Sequence, residues 1–291
     1  VNTIFRVDDM TIHRIVEYQA GMVPVMSMFP NLTPDVLAEN RAWLRSLGAL
    51  SEDNRIVLCF QSYLIRTPHF NVLVDTCVGN DKERESRPHW HRKRDDAYMS
   101  GLAHAGLGVG DIDFVMCTHM HVDHVGWNTR LENGRWVPTF PNARYVFSKK
   151  ELAYWTEQND REPVAHLVDS VLPIVAAGRA DLVTNTHTCC DHVRLVPTPG
   201  HTIDHVAVAL GRGRDAAIVT GDLIHSPLQL RHPELRMWRD YDPDQAVATR
   251  RHFLARLADR NTLCCTSHFP TPSVGHIQGR PRLPGYDLVT R

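Results

Sequence analysis

Charge imbalance is the first thing this chain lacks. Its 32 lysines and arginines meet 33 acidic residues, a formal net charge of −1, so the basic footprint of a nucleic-acid binder is missing and no nucleic-acid partner is expected. No apolar run approaches the roughly 18 residues of a membrane span, and a membrane partner is not expected either. The seven cysteines are an odd set with two adjacent pairs and no C-x-x-C spacing, which excludes a disulfide framework and a cysteine zinc knuckle. Cys59, Cys117, Cys264 and Cys265 lie in apolar runs and are expected as small buried hydrophobes. Residues 1–11 alternate charged with apolar side chains and have no signal-peptide h-region, so the expected compartment is a reducing cytoplasm. Repeats, low-complexity tracts and an interdomain linker are missing too.

What is present is enough apolar material, 43% of 291 residues, for one large core. A single domain over 1–291 is expected, with 1–50 as an N-terminal extension. Strand-like runs fall at 55–65, 71–75, 112–117, 144–147, 193–196, 206–210, 216–220 and 261–266. Helical patterns alternate with the later ones. Ser148 and Glu151 form a capping-box signature, and 163–178 reads as a second helix stopped by Gly178. Asp242 then Pro243 opens another, and Thr33 caps one over 33–47 ended near Gly48. Interleaved strands and helices make the class α/β. The Met- and Val-rich stretch 21–29 is a core or edge strand, or else the wall of an apolar substrate groove or a dimer contact. Residues 81–96, nearly all charged, are a solvated loop or a mobile lid.

Histidines number 18, and three of them crowd into one hexapeptide. His119, His121, Asp123 and His124 occur as H-x-H-x-D-H, a pattern whose chance occurrence in a chain of this composition is roughly half a percent. In an extended segment alternate side chains point the same way, so His119 and His121 can offer two imidazoles to one ion. A turn would then aim Asp123 and His124 at a second ion, and Gly126 is the small residue such a turn needs. Three further candidates each follow a strand: His201 after Pro-Gly, Asp222 after Thr-Gly, and His268 after Thr-Ser. Ligands placed beyond strand ends are how α/β folds gather a site at one sheet edge.

These motifs, His119-x-His121-x-Asp123-His124, Gly200-His201-Thr202, Gly221-Asp222 and His268, resemble in order and separation those of the metallo-β-lactamase superfamily. Leu73-Val-Asp75-Thr is similar to the early strand whose aspartate holds the metal loop. The resemblance runs from about 55 to 275 and implies an αββα sandwich of two facing mixed sheets with outer helices. It implies two Zn2+ ions, with Mn, Fe or Co as substitutes. His119, His121 and His201 would hold one, Asp123, His124 and His268 the other, and Asp222 would bridge them.

The implied chemistry is hydrolysis by a bridging hydroxide, since coordination lowers the pKa of water from about 15.7 to about 7. Asp222 would position the bridge and Asp123 orient the hydroxide. His225 stands where lactonase members commonly carry a tyrosine, and Asp222-Leu-Ile-His225 looks more like methyl parathion hydrolase relatives; it either bonds the substrate oxygen or supports the metal shell. The expected substrate is a small ester or lactone, with a phosphotriester as the alternative. A β-lactamase, or a mononuclear iron sulfur dioxygenase, ranks below both. A homodimer is the expected partner state. His205 reads as structural, Trp127 as either cleft or core, and His69, His104, His166, His232 and His252 as surface or core residues.

Overall fold

Where each strand stops decides where chemistry-bearing side chains emerge. A computed structural model describes residues 4–290; residues 1–3 and 291, and with them the first part of the expected N-terminal extension, lie outside the described residues. The chain divides into two compact units, one of residues 4–18 with 60–187 and one of 19–59 with 188–290.

The first unit is built on β1 (Ile4–Val7), β2 (Met10–Pro24), β3 (Arg55–Arg66), β4 (Asn71–Val74) and β5 (Phe114–Met116), followed by β6 (Thr129–Glu132), β7 (Arg135–Pro138), β8 (Arg144–Ser148) and β9 (Ala180–Val183). Seven of them make one sheet of order β1-β2-β3-β4-β5-β8-β9. From β4 to β9 the pairing is parallel, so β4 and β5 end side by side. β6 and β7 form a separate hairpin whose turn residues, Asn133 at φ 49° and Gly134 at φ 76°, are both left-handed, as a two-residue loop requires. Leu64, Leu73, Val115, Tyr145 and Phe147 from the sheet close on Leu102, Leu167 and Ile174 from helices. Each such side chain, fully buried, contributes about 1.5–3 kcal/mol.

Ser148 caps the helix Lys149–Arg161, accepting from the Lys150 and Glu151 amides at 3.2 and 3.3 Å. The helix expected over 163–178 is instead two short ones, Ala165–Ser170 and Leu172–Ala176. Pro173 has no N–H to give the preceding turn, and the chain breaks at Val171 before Gly178, at φ 66°, ends the pair.

Residues 81–96 are mostly exposed, as a solvated loop would be, but three of their side chains are packed. Lys82 is fully buried, with Arg84 and Trp90 nearly so. Arg84 makes a two-pronged pair with Asp169 at 2.7 and 3.0 Å. Lys82 donates to Thr129 Oγ1 at 2.6 Å and to the Asp169 carbonyl at 3.1 Å, and lies 3.7 Å from both the Asp169 carboxylate and the Trp136 ring centroid. A charge run is ordinarily a solvated face; here its counter-charge comes from a helix some 85 residues on.

The second unit carries β10 (Thr188–Cys190), β11 (Val193–Pro197), β12 (Val206–Leu210), β13 (Ala217–Val219), β14 (Leu263–Cys265), β15 (Val274–Gly279) and β16 (Tyr286–Val289), paired in that order. Only β13 with β14 is parallel, in the register Val219↔Cys265. The helix Pro243–Leu257, capped by Asp242 on the Gln245 amide at 3.0 Å, lays Phe253, Leu254 and Leu257 on Ala207, Ile218 and Cys264. The helix Pro34–Ser46 is capped by Thr33 and followed by Gly48 at φ 64°. Residues 21–29 finish β2 and turn into the short helix Val25–Met28, burying Val25, Met28 and Phe29. Among the described residues no helix is long and apolar enough to cross a membrane.

Burial of the Lys82 ammonium outweighs the pull of Asp169, and with Arg84 close by its pKa falls from 10.5 to about 7. The unfolded chain then binds more protons between those values, so stability rises as pH climbs through that window. Lys82→Met is expected to flatten the rise, read as the difference in urea midpoint between about pH 6.5 and about pH 9.5. Wild type and variant with parallel pH profiles would refute this.

Candidate functional site

In the first unit, the parallel ends of β4 and β5 release two loops that are knitted together by one carboxylate. Asp75, at φ 58° and 2% exposed, takes the Thr118 amide at 2.8 Å, the Thr118 hydroxyl at 2.9 Å and His124 Nδ1 at 2.9 Å. It therefore fixes both ends of the loop holding His119, Met120, His121, Val122 and Asp123. Met120 enters the core while His119 and His121 offer ligand nitrogens within 4.8 Å of each other, the alternation expected of an extended segment. The His124 amide bonds to His121 O at 3.0 Å, turning the chain, and His124 Nε2 comes to lie 3.8 Å from Asp123 Oδ2. His119 Nδ1 lies 3.0 Å from the Thr118 hydroxyl and its Nε2 3.0 Å from His121 Nδ1. The His119 ring centroid is 4.6 Å from that of His121 and 4.1 Å from that of His124.

Gly126 is needed for more than a turn. A Cβ there would stand 2.0 Å from the Val78 carbonyl carbon and oxygen, because the two loops pair main chain to main chain through Gly126 N to Cys77 O and Trp127 N to Thr76 O, both at 2.8 Å. Trp127 is a core residue rather than a cleft wall: it stacks on Tyr98 at 5.3 Å and donates Nε1 to Glu17 at 2.7 Å. Glu17, unremarkable in sequence, also accepts from the Val78 and Gly79 amides at 2.8 and 3.2 Å and from Lys93 at 3.0 Å. Cys77 and Gly79 at φ 48° and 81° curl these amides into a concave carboxylate-binding turn.

In the second unit, three candidate histidines gather on Asp222. His201 follows β11 through Gly200, whose φ of 128° and lack of a Cβ are both required: an added Cβ would meet Ala246 N at 2.3 Å. Asp222 and His268 leave the parallel ends of β13 and β14. His268 Nε2 lies 3.0 Å from Asp222 Oδ1, while His201 Nε2 and His225 Nε2 lie 3.3 and 3.1 Å from Oδ2. The far nitrogens are anchored, His268 Nδ1 on Cys59 O at 3.0 Å and His201 Nδ1 on Asp240 Oδ1 at 3.0 Å. His225 Nδ1 is buried with no protein partner. His205 is structural, as expected: its Nε2 accepts the Asp222 amide at 2.9 Å and its Nδ1 lies 2.8 Å from the Thr198 hydroxyl.

Burial alone would depress His201, but the carboxylates of Asp222 and Asp240 hold its pKa up at about 9. Burial, helped by His201 and His268, keeps His225 low despite Asp222. Asp240 was invisible to sequence reasoning, being one acid in a loop with no strand end before it. The donor chemistry suits a borderline divalent ion: Asp75, Asp240 and the Cys59 carbonyl each hold one nitrogen of a histidine whose other nitrogen remains to bind, the outer support that metal-bound imidazoles normally have.

Comparison with known proteins agrees with this chemistry. The model of the metallo-beta-lactamase superfamily matches residues 61–268. A curated relative, the beta-lactamase-like protein 2 homolog of Caenorhabditis elegans, is 25% identical over 167 residues, 56% of this chain and 43% of that protein, so the match spans under half of the relative. Among solved structures, the hydrolase AbOPH of the beta lactamase superfamily superposes with TM-score 0.82 at 21% identity, over 99% of this chain and 96% of that one. AidC, a dizinc quorum-quenching lactonase, gives 0.79 at 23% identity with the same coverage. A probable metal-dependent hydrolase from Staphylococcus aureus gives 0.77 at 20%, over 99% of both chains. The α/β class of the αββα type, with two multi-stranded sheets and helices, is thus the observed fold.

Gly126→Ala is expected to cost about 3 kcal/mol or more, because the obstacle is backbone and has no rotamer to yield. Urea unfolding measures it; a loss below about 1 kcal/mol would mean the two loops separate easily.

Proposed function

Because this chain belongs to the metallo-β-lactamase superfamily, we propose that it is a metal-dependent hydrolase of a small, fairly apolar ester or lactone, its two donor sets together holding a pair of divalent ions, zinc foremost. The observation that carries the reading is the anchoring of the histidines: His124 on Asp75, His201 on Asp240 and His268 on Cys59 O, each with its second nitrogen turned toward a carboxylate. His119, His121 and His201 would hold one ion and Asp123, His124 and His268 the other, with Asp222 as the carboxylate shared between the sets. When bound, the ions supply Lewis acidity and a water acidic enough to ionise near neutral pH.

The chain's own groups do the rest. Asp222, fixed by His205 at its amide, keeps its two oxygens aimed apart, toward His268 on one side and His201 on the other. Asp123, whose side chain is more exposed than that of Asp222 (16% against 4%), orients the attacking water. His225, its Nε2 3.1 Å from Asp222 Oδ2, steadies that carboxylate from the side away from His268. The likeness to a dizinc lactonase supports the lactone assignment. A second reading, phosphotriester hydrolysis, is favoured by one feature: a histidine rather than a tyrosine three residues after Asp222. Residues up to about 50 precede the family match and expose Met26 and Leu47; we assign them a homodimer contact, which a monomer by light scattering at high concentration would remove.

The enzyme loaded with zinc is expected to carry two ions per chain and to hydrolyse lactones or aryl esters. A chelator should abolish turnover and added zinc restore it. Asp222→Ala should fold and lose turnover, while Asp240→Asn should lose about 10–100-fold in metal affinity or activity. One ion per chain, full turnover by Asp222→Ala, or activity confined to phosphotriesters would each overturn the assignment.

A further inference from the structure

The dipeptide Cys-Cys occurs twice, and its two copies are held in opposite ways. Cys264 and Cys265 lie in β14, whose register against β15 runs unbroken through Cys264↔Gly275 and Cys265↔Val274. Successive side chains of a regular strand point to opposite faces, so these thiols point apart, and both are fully buried. Burial pushes Cys264 up to about 12. They are inert packing.

Cys189 and Cys190 belong to β10, at the edge of the same sheet, and are partly exposed. There the register slips: Thr188 pairs with Arg194 but Cys190 with Val193, two residues on β10 against one on β11. Cys189 is the extra residue of a β-bulge. The bulge breaks the two-residue alternation at Cys189, and a hydrogen bond from the Cys189 side chain is the largest influence on the neighbouring Cys190 thiol.

We propose that Cys189 and Cys190 form a second binding site, a two-thiol chelate for a soft, thiophilic centre of the Cu(I), Cd(II) or trivalent-arsenic class. Thiolates favour soft centres, whereas the imidazole and carboxylate sets described above suit borderline and hard ones, so the softest of these centres prefer the thiol pair. The hydrogen bond from Cys189, with the His192 and Val193 amides against the opposing effect of burial, brings Cys190 down to about 6. The lowered thiol is the one that ionises more readily, and the thiolate is the binding form. Chelation is favoured over a disulfide by geometry: adjacent Cα atoms stand about 3.8 Å apart across a trans peptide, short of the roughly 4.4–6.8 Å a disulfide usually spans.

Phenylarsine oxide is the probe, since its arsenic bonds paired thiols and leaves imidazole and carboxylate alone. Two thiols react with one arsenical: the As–O bond breaks, two As–S bonds form, both thiol protons leave with the oxygen as water, and arsenic remains trivalent. The folded, metal-loaded protein should take up one equivalent, seen by mass spectrometry and reversed by 2,3-dimercaptopropanol but not by a monothiol. Cys189→Ser and Cys190→Ser, with unchanged circular dichroism, should each abolish uptake. Cys264→Ala and Cys265→Ala should retain it. No uptake by the wild type, uptake surviving either serine variant, or uptake lost with Cys264 or Cys265 would overturn the proposal.

Discussion

A buried imidazole has two nitrogens to satisfy, and the way this chain settles one of them on each of several histidines governs the rest of its site. Asp75 takes Nδ1 of His124 and, with the same carboxylate, both polar hydrogens of Thr118. That single group converts six residues of loop into a rigid arc. Without it the arc would have four chemistry-bearing side chains and no reason to hold them in one arrangement. Asp240 and the Cys59 carbonyl play the same part for His201 and His268. In each case rotation of the ring is stopped from behind, and the remaining nitrogen is aimed by default.

The sheets make such anchoring geometrically cheap. β4 and β5 are parallel neighbours, as are β13 and β14, so consecutive loops emerge at the same edge and side chains far apart in sequence start within reach. The main-chain pairing of residues 76–77 with 124–127 then uses backbone groups that loops ordinarily leave to solvent. Positive φ at Asp75 and Cys77 is the strain this tight return requires, and it sits where a functional loop must be held.

Much of this was legible from the residues. The eight strands read from apolar runs are all present, as are the helix caps at Thr33, Ser148 and Asp242, because burial and capping leave local signatures. β2 was not legible in full: a strand that buries His13, Arg14 and Glu17 does not show hydrophobic alternation, and its polar groups are satisfied by partners such as Gln61 and Trp127. The hexapeptide 119–124 announced itself through spacing, and His201, Asp222 and His268 through strand ends. Asp240 and Glu17 had no such marker. A residue whose role is to hold another needs only one acid at the right point in space, and one acid carries no pattern. The same holds for Asp169, whose pairing with Lys82 and Arg84 buries two cations of an otherwise exposed charge run.

The contact of Gly126 with the Val78 carbonyl limits how this part of the chain can vary over time. In an ordinary core, an enlarged side chain can be rescued by a smaller neighbour elsewhere. Here the neighbour is the peptide unit itself, common to every amino acid, so no second-site suppressor among side chains can make room. Whatever drift is tolerated around the loops, this position can be kept or lost, but not compensated.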